Sequence, residues 1–212
     1  RTFSFGSMIL KLRLNSSPAA ACSGKLTEDW RKINPNTEPA TILIGKIRDE
    51  RNNKTKLENF RRTGKKTKER TAAASYPEYY DVPESWEFIL SDELFSFVTS
   101  GSRGWAKYYS DTGSIFLRIG NLDHDSISLD LESIKRVNPP GGAEGTRTRI
   151  QSNDILISIT ADVGMIALIP EDLEEAYINQ HVALARPVKG FLVKYLAWYL
   201  ASDIGQIQFR DL

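Results

Sequence analysis

Residues able to do chemistry are few in this chain, and their spacing argues against catalysis. Cys22 is the sole cysteine, so neither a disulfide nor a thiolate zinc site can form within the chain. The two histidines, His124 and His181, lie far apart with no metal-ligand spacing between them. Ser158 falls inside an apolar run, not on the Gly-x-Ser-x-Gly turn that exposes a nucleophilic serine. Gly101-Ser102-Arg103-Gly104 lacks the Lys-Ser/Thr ending of a phosphate-cradling loop. Asp154, Asp162, Glu171, Asp172, Glu174 and Glu175 are spread over expected turns, without the spaced Glu-x-Lys of a nuclease.

One fragment comes close to a catalytic motif: Asn138-Pro139-Pro140-Gly141. An Asn-Pro-Pro-aromatic tetrapeptide holds the amino group of a flipped adenine while its aromatic ring stacks on the base. Here Gly141 occupies the aromatic position, and no strand, glycine-rich turn and helix precede it to hold a methyl donor. A Pro-Gly loop is the better reading. The expectation is a binding domain with no catalytic residue, no cofactor and no metal.

Reading nucleic-acid bases requires long bidentate donors and amides at base edges, with further donors on phosphates to fix register. The stretch Ser100 to Tyr109 offers Ser102, Arg103, Trp105, Lys107, Tyr108 and Tyr109; a second long stretch offers Thr146, Arg147, Thr148 and Arg149. Arg118 and Asn121 stand at the end of an expected strand, and Thr160 at the end of another. Any one of these residues is as readily a plain surface side chain. Their clustering in glycine-containing loops is what selects them, because loops on a rigid sheet carry recognition well.

The elements that must position these loops are short strands. Ile115 to Ile119 reads as one, stopped by Gly120-Asn121; Ile127, Leu129 and Leu131 alternate with polar residues as a half-buried strand does. Asp154 to Thr160 and Met165 to Ile169, joined through Gly164, predict a hairpin, and Tyr177 to Arg186 a further strand. Residues 99–114 and 138–149 read as long loops. Before this region, 19–31 reads as a helix end stopped near Gly24, with Thr27 or Asp29 capping a new turn. Residues 38–51 predict an amphipathic helix with Ile42, Leu43 and Ile47 on one side. Lys54 to Arg70 is a basic, mobile linker on its composition, with an alternative in which it trails along phosphates. Phe191 to Phe209 has helical spacing, with Phe191, Tyr195, Leu196, Tyr199 and Leu200 on one broad apolar face for a partner or for the chain's own domain.

The expected fold is therefore α+β: a mixed, largely antiparallel sheet domain with short helices and long loops, flanked by helical segments. The expected divisions are 1–53 (helical tail and amphipathic helix), 54–80 (basic linker), 81–190 (recognition domain) and 191–212 (the start of a further helix). At 212 residues, with 41% hydrophobic and 26% charged residues, the chain has the material for one good core. No apolar run reaches membrane-spanning length. It opens on Arg-Thr-Phe-Ser-Phe, without Met or a signal-peptide pattern, and a fragment of a longer chain is expected. Its charge is divided. Residues 1–80 carry 17 Lys+Arg against 8 Asp+Glu, and 81–212 carry 11 against 19, so net charges of +9 and −8 offset to +1. A uniformly basic DNA binder is excluded; the second part can touch DNA only if its cations gather on one face.

With these segments in view, the chain resembles the specificity subunits of type I restriction-modification enzymes over roughly residues 19–212. Ala19 to Arg31 resembles the end of that family's conserved helical region, and Glu38 to Arg51 the amphipathic helix after it. Pro83-Glu84-Ser85-Trp86 is similar to the Pro-Glu-Gly-Trp entry to a recognition domain, with Ser85 in place of Gly. Phe116-Leu117-Arg118-Ile119-Gly120-Asn121 is similar to an Arg-x-Gly-Asn strand end. The block Asp154 to Thr160, Gly164, Ile178-Asn179-Gln180-His181 and Arg186-Pro187 follows the family's most recognisable stretch, with Ala161-Asp162 where Thr-Gly is common. Residues 194–200 resemble the start of its next helix.

The resemblance implies a non-catalytic cytoplasmic subunit whose recognition domain, here the second of two, reads half of a split double-stranded DNA target. It implies methyltransferase subunits that methylate adenine and a motor-nuclease subunit as partners, and no membrane. Two other readings stay open: a docking module without useful DNA affinity, and a recognition domain from a single-chain restriction-methylation protein.

Overall fold

The computed structural model describes residues 17–63, 82–188 and 192–210. It is an α+β structure in which two four-stranded sheets stack face to face, with the C-terminal helices on the outer face of one and a short 3-10 turn on the outer face of the other. Sheet A takes β1 (Phe95–Ser100), β8 (Val182–Pro187), β5 (Ile155–Ser158) and β6 (Ile166–Leu168) in that order, all antiparallel. Sheet B takes β2 (Tyr109–Ser110), β4 (Lys135–Val137), β3 (Ser114–Leu117) and β7 (Ala176–Ile178), with one parallel pair, β3 with β7. The mixed, largely antiparallel character agrees with the sequence reading.

Side-chain alternation along these strands builds three apolar layers. Ile115, Leu117, Leu156, Ala167, Ile178, Val182 and Leu184 face inward between the sheets. The intervening residues of sheet A, Ile155, Ile157, Ile166, Ala183 and Ala185, face the other way onto the C-terminal helices. In sheet B, Phe116, Val137 and Tyr177 face outward and are covered by Trp105 and Tyr108. The central strands β5 and β8 of sheet A are thus buried on both faces, which explains why β5 reads as a continuous apolar run (Ile-Leu-Ile).

The hairpin through Gly164 forms as predicted, Ile155 pairing with Leu168 and Ile157 with Ile166. Four expectations need correction. Residues 177–186 are two strands in different sheets: the chain leaves β7, crosses at 179–181 and enters β8. Residues 127–131 form no ladder beyond a single bridge, Leu122 to Leu129. The polar residues there turn back on their own backbone: Asp123 accepts from the Asp125 N–H at 3.0 Å, Ser126 from Ser128 at 3.0 Å and Asp130 from Glu132 at 2.9 Å. These local bonds compete with a strand ladder. Residues 138–149 are not all loop, since α5 occupies Ala143–Thr148. Strands β1, β2 and β4 lie outside every strand named from the sequence, and β2 together with the end of β1 falls within residues 99–114, read as a long loop.

Helices frame the sheets. α1 (Ser17–Cys22) stops before Gly24, and α2 (Glu28–Ile33) follows a short 3-10 turn at Lys25–Thr27. Thr27 is the residue that precedes α2, as expected, but its hydroxyl donates to Gly24 O at 3.2 Å and makes no capping bond. α3 (Ala40–Thr63) continues past residue 51 through the first ten residues of the basic stretch; residues 64–81, including Tyr76, Pro77, Tyr79 and Tyr80, lie outside the described residues. Among its described side chains, Ile44 and Ile47 are buried, whereas Ile42 is exposed. Arg48 with Glu93 (2.6 Å) and Arg51 with Asp92 (3.2 Å) hold α3 to α4 (Ser91–Leu94).

The helical spacing after residue 191 resolves into two helices, α6 (Val193–Ala201) and α7 (Asp203–Arg210). Ser202 makes the break: its hydroxyl donates to Tyr199 O at 2.6 Å and accepts from the Gly205 N–H at 3.4 Å. A Ser followed by Asp is a helix-start signal. Val193, Leu196, Ala197 and Phe209 cover sheet A. Cys22 of α1 is buried near Ser202, and burial pushes its thiol up from the ordinary value against the opposing bond from that serine.

At the opposite end of sheet A from the 179–181 crossing, Asp154 is fully buried and holds the Arg186 guanidinium through two 2.7 Å bonds, Nε to Oδ1 and Nη2 to Oδ2. It also accepts the Gln151 N–H at 2.7 Å. This charge pair ties β8 to the entry of β5.

Candidate nucleic-acid interface

Strand direction gathers several of the candidate residues at one edge. β1, β3, β5 and β7 all run toward that edge and β8 begins there: Ser100 pairs with Ala183, Ser158 with Val182, and Leu117 with Ile178. The segments leaving these ends carry Ser102 and Arg103, Arg118, Thr160, and Asn179-Gln180-His181. They pack closely. The Gly101 N–H donates to Val182 O at 3.3 Å, and a Cβ at Gly101 would lie 2.2 Å from Asn179 O, so only glycine fits there. The Asn179 N–H donates to Leu117 O at 3.0 Å. Thr160 Oγ1 and His181 Nδ1 are 2.5 Å apart, and Gln180 Nε2 is 3.0 Å from His181 Nε2. Nearby, exposed His124 Nε2 meets Asp162 Oδ2 at 2.7 Å.

The two long candidate stretches meet each other. Arg147, on α5, donates through Nη1 to Thr99 Oγ1 and to Ser100 O (2.5 Å), and through Nη2 to Ser102 Oγ (2.5 Å) and Glu144 Oε2 (3.1 Å). Glu144 accepts at its other oxygen, Oε1, from the indole Nε1 of Trp105 at 3.1 Å. Burial pushes the Glu144 carboxyl up, but the bonds from Ser102, Arg147 and Trp105 and the Arg147 charge outweigh it and hold the group below the usual carboxylate value. Trp105 is 3% exposed and stacks on Phe116 with ring centres 5.1 Å apart and planes 6° apart; Tyr177 lies against it at 5.5 Å. The 3-10 turn Trp105–Tyr108 is thereby seated on the outer face of sheet B.

Between the two held residues, Ser102 and Trp105, stand Arg103 and Gly104. Arg103 is exposed, and Gly104 takes φ +86°, a backbone shape that a side chain would strain. Lys107 is exposed with its ammonium 4.9 Å from the centre of the Tyr108 ring, and Tyr109 is exposed with one edge on Phe116 at 5.8 Å. Tyr109 opens β2 opposite Val137, at the end of sheet B away from Arg118. The candidates therefore occupy two adjoining surfaces, the strand-end edge and the outer layer over sheet B, and not one groove.

Asn121 is committed inside the protein, whereas Arg118 and Arg149 keep part of their surface. Asn121 is 1% exposed; its Oδ1 accepts the Arg118 N–H at 2.9 Å, and its Nδ2 donates to Asp130 O (2.9 Å) and Ser133 O (3.3 Å). Its amide holds the turn after β3. Arg118 is half-buried, and its Nε has no hydrogen-bond partner among the described residues. Arg149 is exposed and pairs with Glu175 at 3.4 Å. Glu175 in turn accepts the Tyr177 hydroxyl at 2.5 Å, and burial, then that carboxylate, push the Tyr177 phenol up to about 12.

Of the expected partner-contact residues, Phe191 lies outside the described residues. Leu196 and Leu200 pack against sheet A, so the aliphatic half of the stripe covers the chain's own domain. Tyr195 is 39% exposed, edge-on to Trp86 at 6.1 Å, and Tyr199 is half-buried beside it at 6.2 Å. Trp105, an aromatic expected to reach a groove, is instead buried on the outer face of sheet B. Glu144 was not among the residues singled out for the site, and its signal in the sequence is weak, since a Glu three residues before Arg147 gains meaning only when α5 forms.

No helix among the described residues is long and apolar enough to cross a membrane. No family model and no curated protein matches the chain. Solved structures similar to it include the following two. One is a chain of a type I R-M system, solved in work on complex assembly and conformational transition; it is 15% identical with a TM-score of 0.48 over 89% of this chain and 41% of that one. The other is the HsdS subunit from Thermoanaerobacter tengcongensis, 15% identical with a TM-score of 0.48 over 91% of this chain and 41% of that one. This chain spans about two-fifths of the length of each.

Proposed function

We propose that this chain is a recognition domain of a type I restriction-modification specificity subunit and reads one half of a bipartite double-stranded DNA target. The observation that carries the reading is Arg103, an exposed bidentate donor at the tip of a turn whose two ends, Ser102 and Trp105, are bonded into the protein. A fork donor on a fixed mount is what a guanine edge in the major groove requires. Lys107 and Tyr109, exposed on the same stretch, supply donors for phosphate, as Arg118 does from the strand-end edge and Arg149 from the end of α5. Thr160 supplies a hydroxyl at that edge. The ordered resemblance of residues 19–212 to the specificity subunits supports the same reading.

In this reading the domain performs no catalysis. Methyltransferase subunits carry out adenine methylation in the cytoplasm, and a motor-nuclease subunit joins through the complex. Tyr195 and Tyr199 are the partner-facing part of the C-terminal stripe. The rival reading, a docking module without useful DNA affinity, draws support from exposed Leu26, Trp30 and Ile33 beside α1.

The deciding experiment is methylation of random-sequence DNA by the chain assembled with methyltransferase subunits, followed by sequencing of the methylated pool. A reproducible half-site that loses preference at one base position on Arg103→Ala supports reading. Equal methylation of all sequences by the unmutated chain refutes it and leaves the docking module.

A further inference from the structure

Resting on the reading just proposed, we infer that Arg147 is a positioning residue for base recognition and not a base reader: it holds the turn that presents Arg103. A guanidinium has five N–H donors, four of them on its two terminal nitrogens. In Arg147 both terminal nitrogens are occupied, Nη1 by Thr99 Oγ1 and Ser100 O, Nη2 by Ser102 Oγ and Glu144 Oε2. Reading guanine O6 and N7 takes two adjacent donors of the fork, at least one of them on a terminal nitrogen. To read a base, Arg147 would have to release partners of at least one terminal nitrogen from a half-buried position.

What the side chain does instead follows from where its partners sit. Thr99 and Ser100 close β1, Ser102 opens the turn that carries Arg103, and Glu144 lies one helical turn back on α5. Glu144 extends the hold to Trp105 on the far side of Arg103. One guanidinium and one carboxylate therefore fix residues 102 and 105 while Arg103 and Gly104 project between them. Lysine cannot reproduce this arrangement, because an ammonium has no planar fork and points its donors elsewhere.

The role separates from plain stabilisation by its signature on sequence preference. The assay is the random-DNA methylation experiment, run with Arg147→Lys, Arg103→Ala, the double variant and Ser102→Ala, the last removing one hydroxyl that accepts from Arg147 and donates to Glu144, with little threat to folding. Thermal melting of each assembly confirms that it is folded. Positioning predicts that Arg147→Lys keeps the consensus and weakens discrimination about tenfold at the one position that Arg103→Ala erases. Ser102→Ala weakens it less, and the double variant matches Arg103→Ala there. A new or lost preference under Arg147→Lys at a position that Arg103→Ala leaves intact overturns the inference, because it makes Arg147 a reader in its own right. So does an unchanged profile, or a uniform loss of affinity with the profile preserved, which marks a merely structural role. An unmutated chain without any preference refutes DNA reading itself, and the unmutated control in the same experiment identifies that case.

Discussion

Replacing Trp105 tests whether the outer layer is part of the core or a loop resting on it. The indole is 3% exposed, stacked on Phe116, tilted against Tyr177 and bonded through Nε1 to Glu144. Truncation of a buried aromatic to alanine typically costs about 3–5 kcal/mol, so Trp105→Ala is placed in that range. Trp105→Phe keeps an aromatic ring over Phe116 and loses the bond to a charged acceptor, for which about 1.5–3 kcal/mol is typical. Domains of this size are stable by only about 5–15 kcal/mol, so both changes are readable by urea unfolding followed by far-UV circular dichroism. The expected order is wild type, then Phe, then Ala, with Phe clearly separated from Ala. A loss below about 1 kcal/mol for Trp105→Ala, under the usual range for a buried aromatic, refutes the seating of residues 105–108 on sheet B. Equal losses for Phe and Ala refute the stack as its cause. In the methylation assay, Trp105→Phe should soften base preference where Arg103→Ala abolishes it.

Three further outcomes follow from the same geometry. Asn121→Ala leaves the Arg118 N–H and two carbonyls of a buried turn unpaired, and should cost about 2–3 kcal/mol in urea unfolding while the base consensus of the folded assembly stays as it was; a changed consensus would make Asn121 a reader after all. Asp154→Ala strands the Arg186 guanidinium, and a loss of about 3–5 kcal/mol is expected, whereas a loss under 1 kcal/mol by the same measurement would show that the pair is not holding β8 to β5. Glu144 has a folded value below its ordinary value of 4.5. Its contribution is therefore present above the ordinary carboxylate range and is lost as pH falls through the lower folded value. The Trp105 indole N–H resonance should move in that acid window, and Glu144→Gln should remove the titration; a resonance that titrates unchanged in Glu144→Gln would place its origin elsewhere.

Much of the strand pattern was legible because burial and periodicity agreed. Ile155-Leu156-Ile157 announces a strand buried on both faces, and Gly164 marks its turn. The failures have local causes. Residues 177–186 looked like one strand because both halves are apolar, and nothing in Asn179-Gln180-His181 says that the chain changes sheets. Residues 127–131 alternate correctly, yet Asp123, Ser126 and Asp130 bond to their own backbone and no ladder forms. The site was legible as residue types and not as roles. Arg103, Arg118, Asn121 and Arg147 are equal as letters. Long-range pairing alone decides that Asn121 faces inward, that Arg147 is engaged through both terminal nitrogens and that Arg103 is exposed.

The close approach at Gly101 bears on how such a domain can change. The chain leaves β1 through a gap against the Ile178 and Asn179 backbones that admits no side chain, so the point of departure is fixed to the atom. Immediately beyond it, Arg103 and Gly104 meet open solvent, and a Cβ at Gly104, Gly141 or Gly142 would touch nothing. Variation is thus channelled: Arg103, exposed between the held Ser102 and Trp105, can be exchanged, while the gate sets where each new version begins. A lineage that swaps what is displayed keeps the same starting coordinates, and a graft cut between Gly101 and Ser102 inherits them.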